Sequence, residues 1–173
     1  MIIKMQRQIS SNNYPFVILM IFLFCLNAIN CTKMAEKEIH YIPKGFIGRV
    51  YIFFDIPNGS AAYSDKERVY NISSSGHSFS SLRANDGFLK DGDRSFYYGD
   101  ENAKDKITFL PEIDDENLKR RSKEVFVFNL IVGQSHGISY LSYCVDTLKN
   151  STRYYEPDLS SLNKIIDSIV RQK

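Results

Sequence analysis

The strongest β-strand signal in the sequence is Glu124-Val-Phe-Val-Phe-Asn-Leu-Ile-Val132. β-Branched and aromatic side chains occupy both alternating sets of positions, which predicts a strand that is buried on both faces. A second apolar stretch, residues 139–147, follows after the short segment Gly133-Gln-Ser-His-Gly137. The pair therefore predicts a hairpin whose first strand lies in the centre of a sheet.

Five further stretches are short, rich in β-formers and bounded by turn residues. They cover residues 47–54, 67–72, 78–83, 94–98 and 106–110. The turns between them carry Asn-Gly and Asp-Gly pairs, which supply the positive φ angles of tight turns. About seven strands predict a mainly β fold, either a small antiparallel β-sandwich or a partly open barrel.

The hydrophobic period changes from two to that of a helix near the C-terminus. The apolar positions that share one helical face are Leu159, Leu162, Ile165, Ile166, Ile169 and Val170. Asp158, which follows Pro157, is typical of a helix start. One α-helix is therefore predicted over residues 158–172, with its apolar face packed on the sheet. Docking of a partner on that face is the alternative.

The first 30 residues have the pattern of a signal peptide. Lys4 and Arg7 are the only charged residues among them, and an unbroken apolar run follows over residues 16–26. A run of this length is too short for a transmembrane helix, which needs about 20 residues. A charged segment before a short apolar run predicts secretion.

The end of this leader resembles a relaxed bacterial lipobox, with Asn30 directly before Cys31. In bacterial lipoproteins such a cysteine carries a diacylglyceryl thioether, so Cys31 is the predicted site of lipid attachment. The prediction is then a signal peptide over 1–30, a lipid-anchored tether over 31–38 and one β-rich domain over 39–173. Ordinary secretion and an uncleaved anchor are the alternatives.

The charge balance argues against nucleic acid as a partner. The chain has 173 residues, with 22 basic and 20 acidic side chains. Lys4 and Arg7 account for the excess, so the part after the predicted signal peptide is formally neutral. Nucleic-acid binding depends on dense neutralisation of phosphates. The predicted partners are instead a membrane, through the N-terminal acyl chains, and an envelope protein or glycan.

One block resembles a family of small bacterial lipoprotein domains of unknown function. It is Tyr41-Ile-Pro-Lys-Gly-Phe-Ile-Gly-Arg-Val-Tyr-Ile-Phe-Phe-Asp55, which contains the opening motif Ile-Pro-x-Gly-Phe-x-Gly. Weaker matches are Val69–Ile72 with Gly76, Phe96–Tyr98 with Asp100–Asn102, and Tyr140–Thr147. The resemblance covers about residues 39–148 and leaves out the C-terminal helix. It implies a secreted lipoprotein with a compact β domain and implies no activity.

The segment Gly133-Gln-Ser-His-Gly137 satisfies G-x-S-x-G, the pattern around the nucleophile of α/β-hydrolases. That chemistry needs a separate histidine as base and an acid to orient it. His136 is the only histidine after Ser135, and a strand is predicted to follow. The segment is therefore predicted to be a hairpin loop, and a serine hydrolase using Ser135 is the alternative.

No metal or cofactor site is predicted, because His40, His77 and His136 stand at no ligand spacing. Cys144 is predicted to be a buried, unreactive thiol. Most of the aromatic residues are predicted to pack in the core, and a glycan-binding β-sandwich would need two exposed aromatics on one face.

The sequence thus predicts an uncharacterised, non-catalytic lipoprotein, a structural or binding module. It is expected to be secreted across the inner membrane and lipid-anchored to the bacterial cell envelope, at the outer membrane or cell surface.

Overall fold

The computed structural model describes residues 34–90, 92–102, 105–114, 123–154, 156 and 158–171. The predicted signal peptide and Cys31 lie outside these residues. In the described part the strands are β1 (Glu38–Ile42), β2 (Gly48–Phe53), β3 (Ala62–Ser64), β4 (Glu67–Asn71), β5 (His77–Phe79), β6 (Arg94–Tyr98), β7 (Asp105–Phe109), β8 (Val125–Ser135) and β9 (Ile138–Thr147). A 3-10 helix, Leu148–Tyr154, and an α-helix, α1 (Leu159–Val170), follow. No helix of the described residues is long and apolar enough to span a bilayer.

All nine strands belong to one curled sheet in the order β3-β4-β1-β6-β7-β8-β9-β2-β5. The mainly β class and the C-terminal helix are confirmed. The predicted count of about seven strands and the antiparallel arrangement are wrong, because four neighbouring pairs are parallel: β1 with β4, β1 with β6, β2 with β5 and β7 with β8. Parallel neighbours cannot be joined by a tight hairpin, so local turn signals do not reveal them.

The predicted hairpin is formed by β8 and β9, and β8 lies inside the sheet between β7 and β9. Phe126, Val127 and Phe128 are at most 1% exposed, which confirms burial on both faces. The pairing register shifts after Phe128, where Asn129 takes a φ of 54°. This irregularity lets the Asn129 amide donate a hydrogen bond to the Tyr154 carbonyl at 2.7 Å and so tie the 3-10 helix to the sheet.

The inner face of the curled sheet holds the main core. Its buried apolar members are Ile42, Val50, Ile52, Phe54, Tyr70, Ile72, Phe96, Ile107, Val127, Leu141, Tyr143 and Val145. The sheet curls far enough to bring β9 against β1, although three strands separate them in the sheet order. The contact that shows this is the hydrogen bond between the Tyr143 hydroxyl and His40 Nδ1 at 3.2 Å.

Two elements cover the outer face. The buried residues Leu162, Ile166 and Ile169 of α1 pack on the outer side of β2 and β9, against Tyr51 and Phe53 among others. This confirms the predicted helix and its packing on the sheet. The helix begins after Asp158, whose carboxylate accepts a hydrogen bond from the Ser161 amide at 3.0 Å.

The 3-10 helix covers the neighbouring part of the outer face. Its Leu148 and Tyr154 pack with Phe126, Phe128 and Cys144. Cys144 is fully buried, as predicted, and burial raises the pKa of its thiol to about 11. The thiolate is therefore disfavoured at neutral pH, which fits an unreactive core cysteine.

Candidate functional site

The G-x-S-x-G segment forms the tight turn of the β8–β9 hairpin. β8 ends at Ser135 and β9 begins at Ile138, with His136 at φ 49° and Gly137 at φ 75° between them. Two successive positive φ angles are those of a type I′ hairpin turn. Packing requires glycine at residue 133, because a Cβ there would lie 2.6 Å from the Tyr140 ring on the facing strand. The hairpin prediction is confirmed, and both glycines are explained without catalysis.

Ser135 and His136 do contact one another, with Ser135 Oγ 3.0 Å from His136 Nδ1. His136 is exposed on the turn. No carboxylate among the described residues is hydrogen-bonded to its ring. The arrangement places a serine beside an imidazole but supplies no acid to orient the imidazole, which the triad mechanism requires.

The three histidines lie in three different parts of the structure. His40 is buried inside the curled sheet, His77 lies on the edge strand β5 and His136 on the hairpin turn. Within the described part of the chain, no group of three His, Cys, Asp or Glu side chains is placed to hold a metal ion.

A buried polar network that sequence reasoning missed lies on the inner face around β1. Glu38 and His40 are 2% and 0% exposed, and their side chains approach to 3.4 Å. Arg94 on β6 pairs with the Glu38 carboxylate at 2.5 Å, and the Asn85 amide donates to its other oxygen at 2.8 Å. Tyr143 completes the network through its contact with His40 Nδ1. Glu38 and His40 share a face because they are two positions apart on a strand.

Electrostatics assign the charges in this network. Burial lowers the pKa of His40, and its contact with Glu38 offsets this only in part, so the imidazole is neutral at neutral pH. Burial works to raise the pKa of Glu38, but its hydrogen bond with His40 and the charge and hydrogen bond of Arg94 outweigh burial and lower the pKa. The network is therefore a Glu38–Arg94 ion pair extended by a neutral imidazole. Its Nε2–H donates to Glu38, and its Nδ1 accepts from the Tyr143 hydroxyl.

The segment before β1 is held by the same region. The Glu36 backbone exchanges two hydrogen bonds with the Asn85 amide, at 3.0 and 2.7 Å, and its carboxylate pairs with Arg68. The amide of Ala35 donates to the Phe88 carbonyl at 3.1 Å. The chain is therefore fixed to the domain from residue 35 onward, before β1 begins.

A second site lies on the outer face, between β2, β5 and the start of α1. It is a pocket of about 460 Å³ lined by Arg49, Tyr51, Ser75, His77, Asp158, Ser161, Lys164 and Ile165. We call it the outer pocket. Its sheet side is fixed by pairing of Tyr51 with His77, and the adjoining turn requires glycine at residue 76. There φ is 81° and a Cβ would lie 2.8 Å from the Arg49 carbonyl.

Two polar atoms at the base of the outer pocket lack a partner among the described residues. They are Arg49 Nη1 and the Tyr51 hydroxyl, and both are shielded from solvent. Tyr51 as a whole is 4% exposed, and burial raises the pKa of its hydroxyl, although the charge of Arg49 partly offsets this. The other end of the guanidinium is fixed, because Arg49 Nη2 donates to the Tyr154 carbonyl at 2.8 Å.

A third candidate surface lies on the outer side of β1 and β6. Tyr41 and Tyr97 are paired residues whose ring centroids lie 6.1 Å apart, tilted by 40°. Tyr41 lines a shallow pocket of about 340 Å³ together with Asn71, Asp100 and Glu101. Both tyrosines are partly exposed, so two aromatic side chains do share one face of the sheet.

Comparisons with known proteins agree with an uncharacterised β domain. Residues 34–152 match the model of a family described as a family of unknown function, DUF6843. The match has nearly the extent of the predicted resemblance and likewise leaves out α1. No curated protein matches the chain.

One solved structure shares the fold. It is the 2.75 Å crystal structure named "Putative Lipoprotein from Bacillus anthracis", with a TM-score of 0.51 and 11% identity. The similarity covers 77% of this chain and 93% of that chain. At this identity the likeness shows a common architecture and nothing more.

Proposed function

The chain belongs to the DUF6843 family, and from that premise we propose that it is a bacterial envelope lipoprotein whose β domain is a non-catalytic binding module. The observation that supports this most directly is the position of Cys31. It follows a leader with the pattern of a signal peptide and lies four residues before Ala35, whose amide is hydrogen-bonded to the domain. The name given to the Bacillus anthracis protein of similar fold points the same way.

The same position predicts a short anchor. Only residues 32–34 separate Cys31 from the fixed residue Ala35. An extended chain spans at most about 3.5 Å per residue, so this linker reaches roughly 14 Å. Two or three acyl chains on Cys31 would hold the domain stably on a bilayer, since each buried CH2 contributes about 0.8 kcal/mol.

Mass spectrometry of the mature N-terminus tests the anchor in the full-length protein expressed in a bacterial host. We expect diacylglyceryl-modified Cys31 as the first residue. Cys31→Ser should accumulate as the uncleaved precursor, whereas the matched control Cys25→Ser should be processed normally. A mature chain that begins at Thr32, or one that retains Met1, would contradict the proposal.

Two alternatives make separate predictions. A serine hydrolase would be labelled by a fluorophosphonate probe, and Ser135→Ala would abolish the labelling. A glycan-binding module is favoured by the side-by-side placement of Tyr41 and Tyr97 on one face. It would bind neutral hexose oligomers in a manner lost on Tyr41→Ala.

A further inference from the structure

We propose that the outer pocket binds a small oxyanion, a carboxylate or phosphate group carried by a solute. This inference deepens the proposed binding module by naming its ligand class. The pocket is built from the sheet on one side, with Arg49, Tyr51 and His77, and from α1 on the other, with Asp158 and Lys164.

The first argument is an uncompensated positive charge. Arg49 is partly buried, yet its guanidinium donates to the backbone carbonyl of Tyr154 rather than to a carboxylate. Lys164 also forms no salt bridge with any described residue. A guanidinium removed from water without a counter-charge is costly, and a bound anion removes that cost.

The single acid of the pocket, Asp158, can balance only one of these two cations. Both oxygens of Asp158 accept hydrogen bonds from Ser161, one from its amide at 3.0 Å and one from its hydroxyl at 2.5 Å. These bonds, with a smaller contribution from the charge of Lys164, lower the pKa of Asp158 and hold its carboxylate at the start of α1. Arg49 and Lys164 carry two positive charges and Asp158 one negative charge, so the pocket has a net positive charge.

The second argument is the pair of unused donors. Arg49 Nη1 and the Tyr51 hydroxyl are both shielded and have no partner among the described residues, although buried polar groups in proteins almost always have one. Guanidinium and phenol hydroxyl groups can both donate to one oxyanion. The N-terminus of the twelve-residue α1 adds a positive end of a helix dipole at the same pocket.

The volume of the outer pocket and its remaining lining residues indicate the size of solute that it can hold. A pocket of about 460 Å³ has room for a small organic molecule as well as its charged group. Ile165 and the rings of Tyr51 and His77 offer apolar contact, and Ser75 offers a hydroxyl. Half of the wall belongs to α1, which lies outside the family match over 34–152.

Calorimetric titration of the full-length protein in detergent, at constant ionic strength, tests the proposal with inorganic phosphate and with acetate as probes. We expect at least one of the two to bind, and the arm that binds identifies the charged group. Arg49→Gln should weaken binding by about tenfold or more, because it removes a charge-assisted donor. Lys164→Gln should weaken it by several-fold, whereas Lys66→Gln, an exposed cation on the β3–β4 turn, should not change it.

Tyr51→Phe keeps the test clear if Arg49→Gln fails to fold. It removes only a hydroxyl that has no partner in the free protein, so the melting temperature should not fall while anion binding weakens. Absence of binding by both probes, or binding unchanged in Arg49→Gln, Lys164→Gln and Tyr51→Phe, would overturn the proposal. Cys31→Ser should retain binding, which separates failure of the pocket from failure of the anchor.

Discussion

At the scale of single residues, the unusual feature is a neutral histidine kept beside a charged carboxylate in a closed interior. Arg94 carries the counter-charge of Glu38, and the Tyr143 hydroxyl occupies the second nitrogen of His40. Each buried polar group in this network has a partner, so the network can persist inside an apolar core. Protonation of the imidazole would place a second cation next to Arg94.

This arrangement predicts a pH-dependent free energy of unfolding. The folded pKa of His40 is lowered, while the unfolded value is near 6.5, so the unfolded chain binds the proton first as the pH falls. The contribution is complete above pH 6.5 and declines below it, by up to about 1.4 kcal/mol per pH unit. Glu38 adds a second decline below its unfolded pKa of about 4.5, because its folded pKa is also lowered.

Urea denaturation of the detergent-solubilised protein between pH 7.5 and 5 measures the His40 part. His40→Phe should lower stability at pH 7.5 but flatten its dependence on pH. His136→Phe, on the exposed turn, should keep the wild-type slope. An unchanged slope in His40→Phe would show that His40 is not the group responsible.

The sequence predicted correctly those residues whose role depends on their neighbours in the chain. It did not predict those whose role depends on contacts with distant strands. The turn at Ser135 to Gly137 and the buried Cys144 could be predicted from neighbouring residues alone. Glu38 and Arg94 are 56 positions apart, and nothing in either local pattern indicates that they pair. The outer pocket was missed for the same reason, since Arg49 and Lys164 meet only after α1 folds back over β2.

At the scale of elements, β1 is a strand that the sequence did not predict, and the reason can be identified. It has the sequence Glu-Ile-His-Tyr-Ile, and its buried positions are Glu38, His40 and Ile42. Polar and apolar residues alternate along β1, but Glu38 and His40 face the interior. An alternating strand is expected to bury its apolar residues and expose its polar ones. No strand was therefore predicted there, and Glu38 was assigned to the tether, although β1 lies inside the sheet between β4 and β6. β3 was missed because it is only three residues long.

The C-terminal helix was predictable, and its packing makes a quantitative prediction. Ile166 is fully buried against the sheet, whereas Leu159, in the first turn of the same helix, is 57% exposed. Ile166→Ala should cost about 2–5 kcal/mol of unfolding free energy, because it leaves a cavity. Leu159→Ala should change it by no more than about 0.5 kcal/mol. Equal effects in urea denaturation would show that α1 does not pack as the structure has it.

At the scale of the whole molecule, the topology is what the sequence could not supply. A short turn at residues 43–46 joins β1 to β2, yet the two strands are not neighbours in the sheet. Strand order depends on which inward faces complement one another, and that is a property of the assembled core. The hairpin of β8 and β9 was predicted because the partners follow one another directly in the chain.

The proposed lipid anchor at Cys31 gives an expectation about which end of the domain lies near the membrane. Met34 pairs with Phe88 at the start of the described chain, and both are exposed apolar side chains, at 47% and 56%. They adjoin the N-terminal end of β1. Ile47, which is 48% exposed, lies beyond the opposite end of that strand. If Cys31 carries the lipid, a linker that spans at most roughly 14 Å is expected to hold Phe88 nearer to the bilayer than Ile47.

The chain contains no tryptophan, so single-tryptophan variants report on this orientation directly. In lipid vesicles that contain brominated lipids, Phe88→Trp fluorescence should be strongly quenched and Ile47→Trp fluorescence should not. Insertion of a ten-residue Gly-Ser spacer after Thr32 should remove most of the quenching of Phe88→Trp, because the domain can then leave the surface. Equal quenching of the two variants would mean that the domain has no fixed face toward the membrane, even if Cys31 carries the lipid.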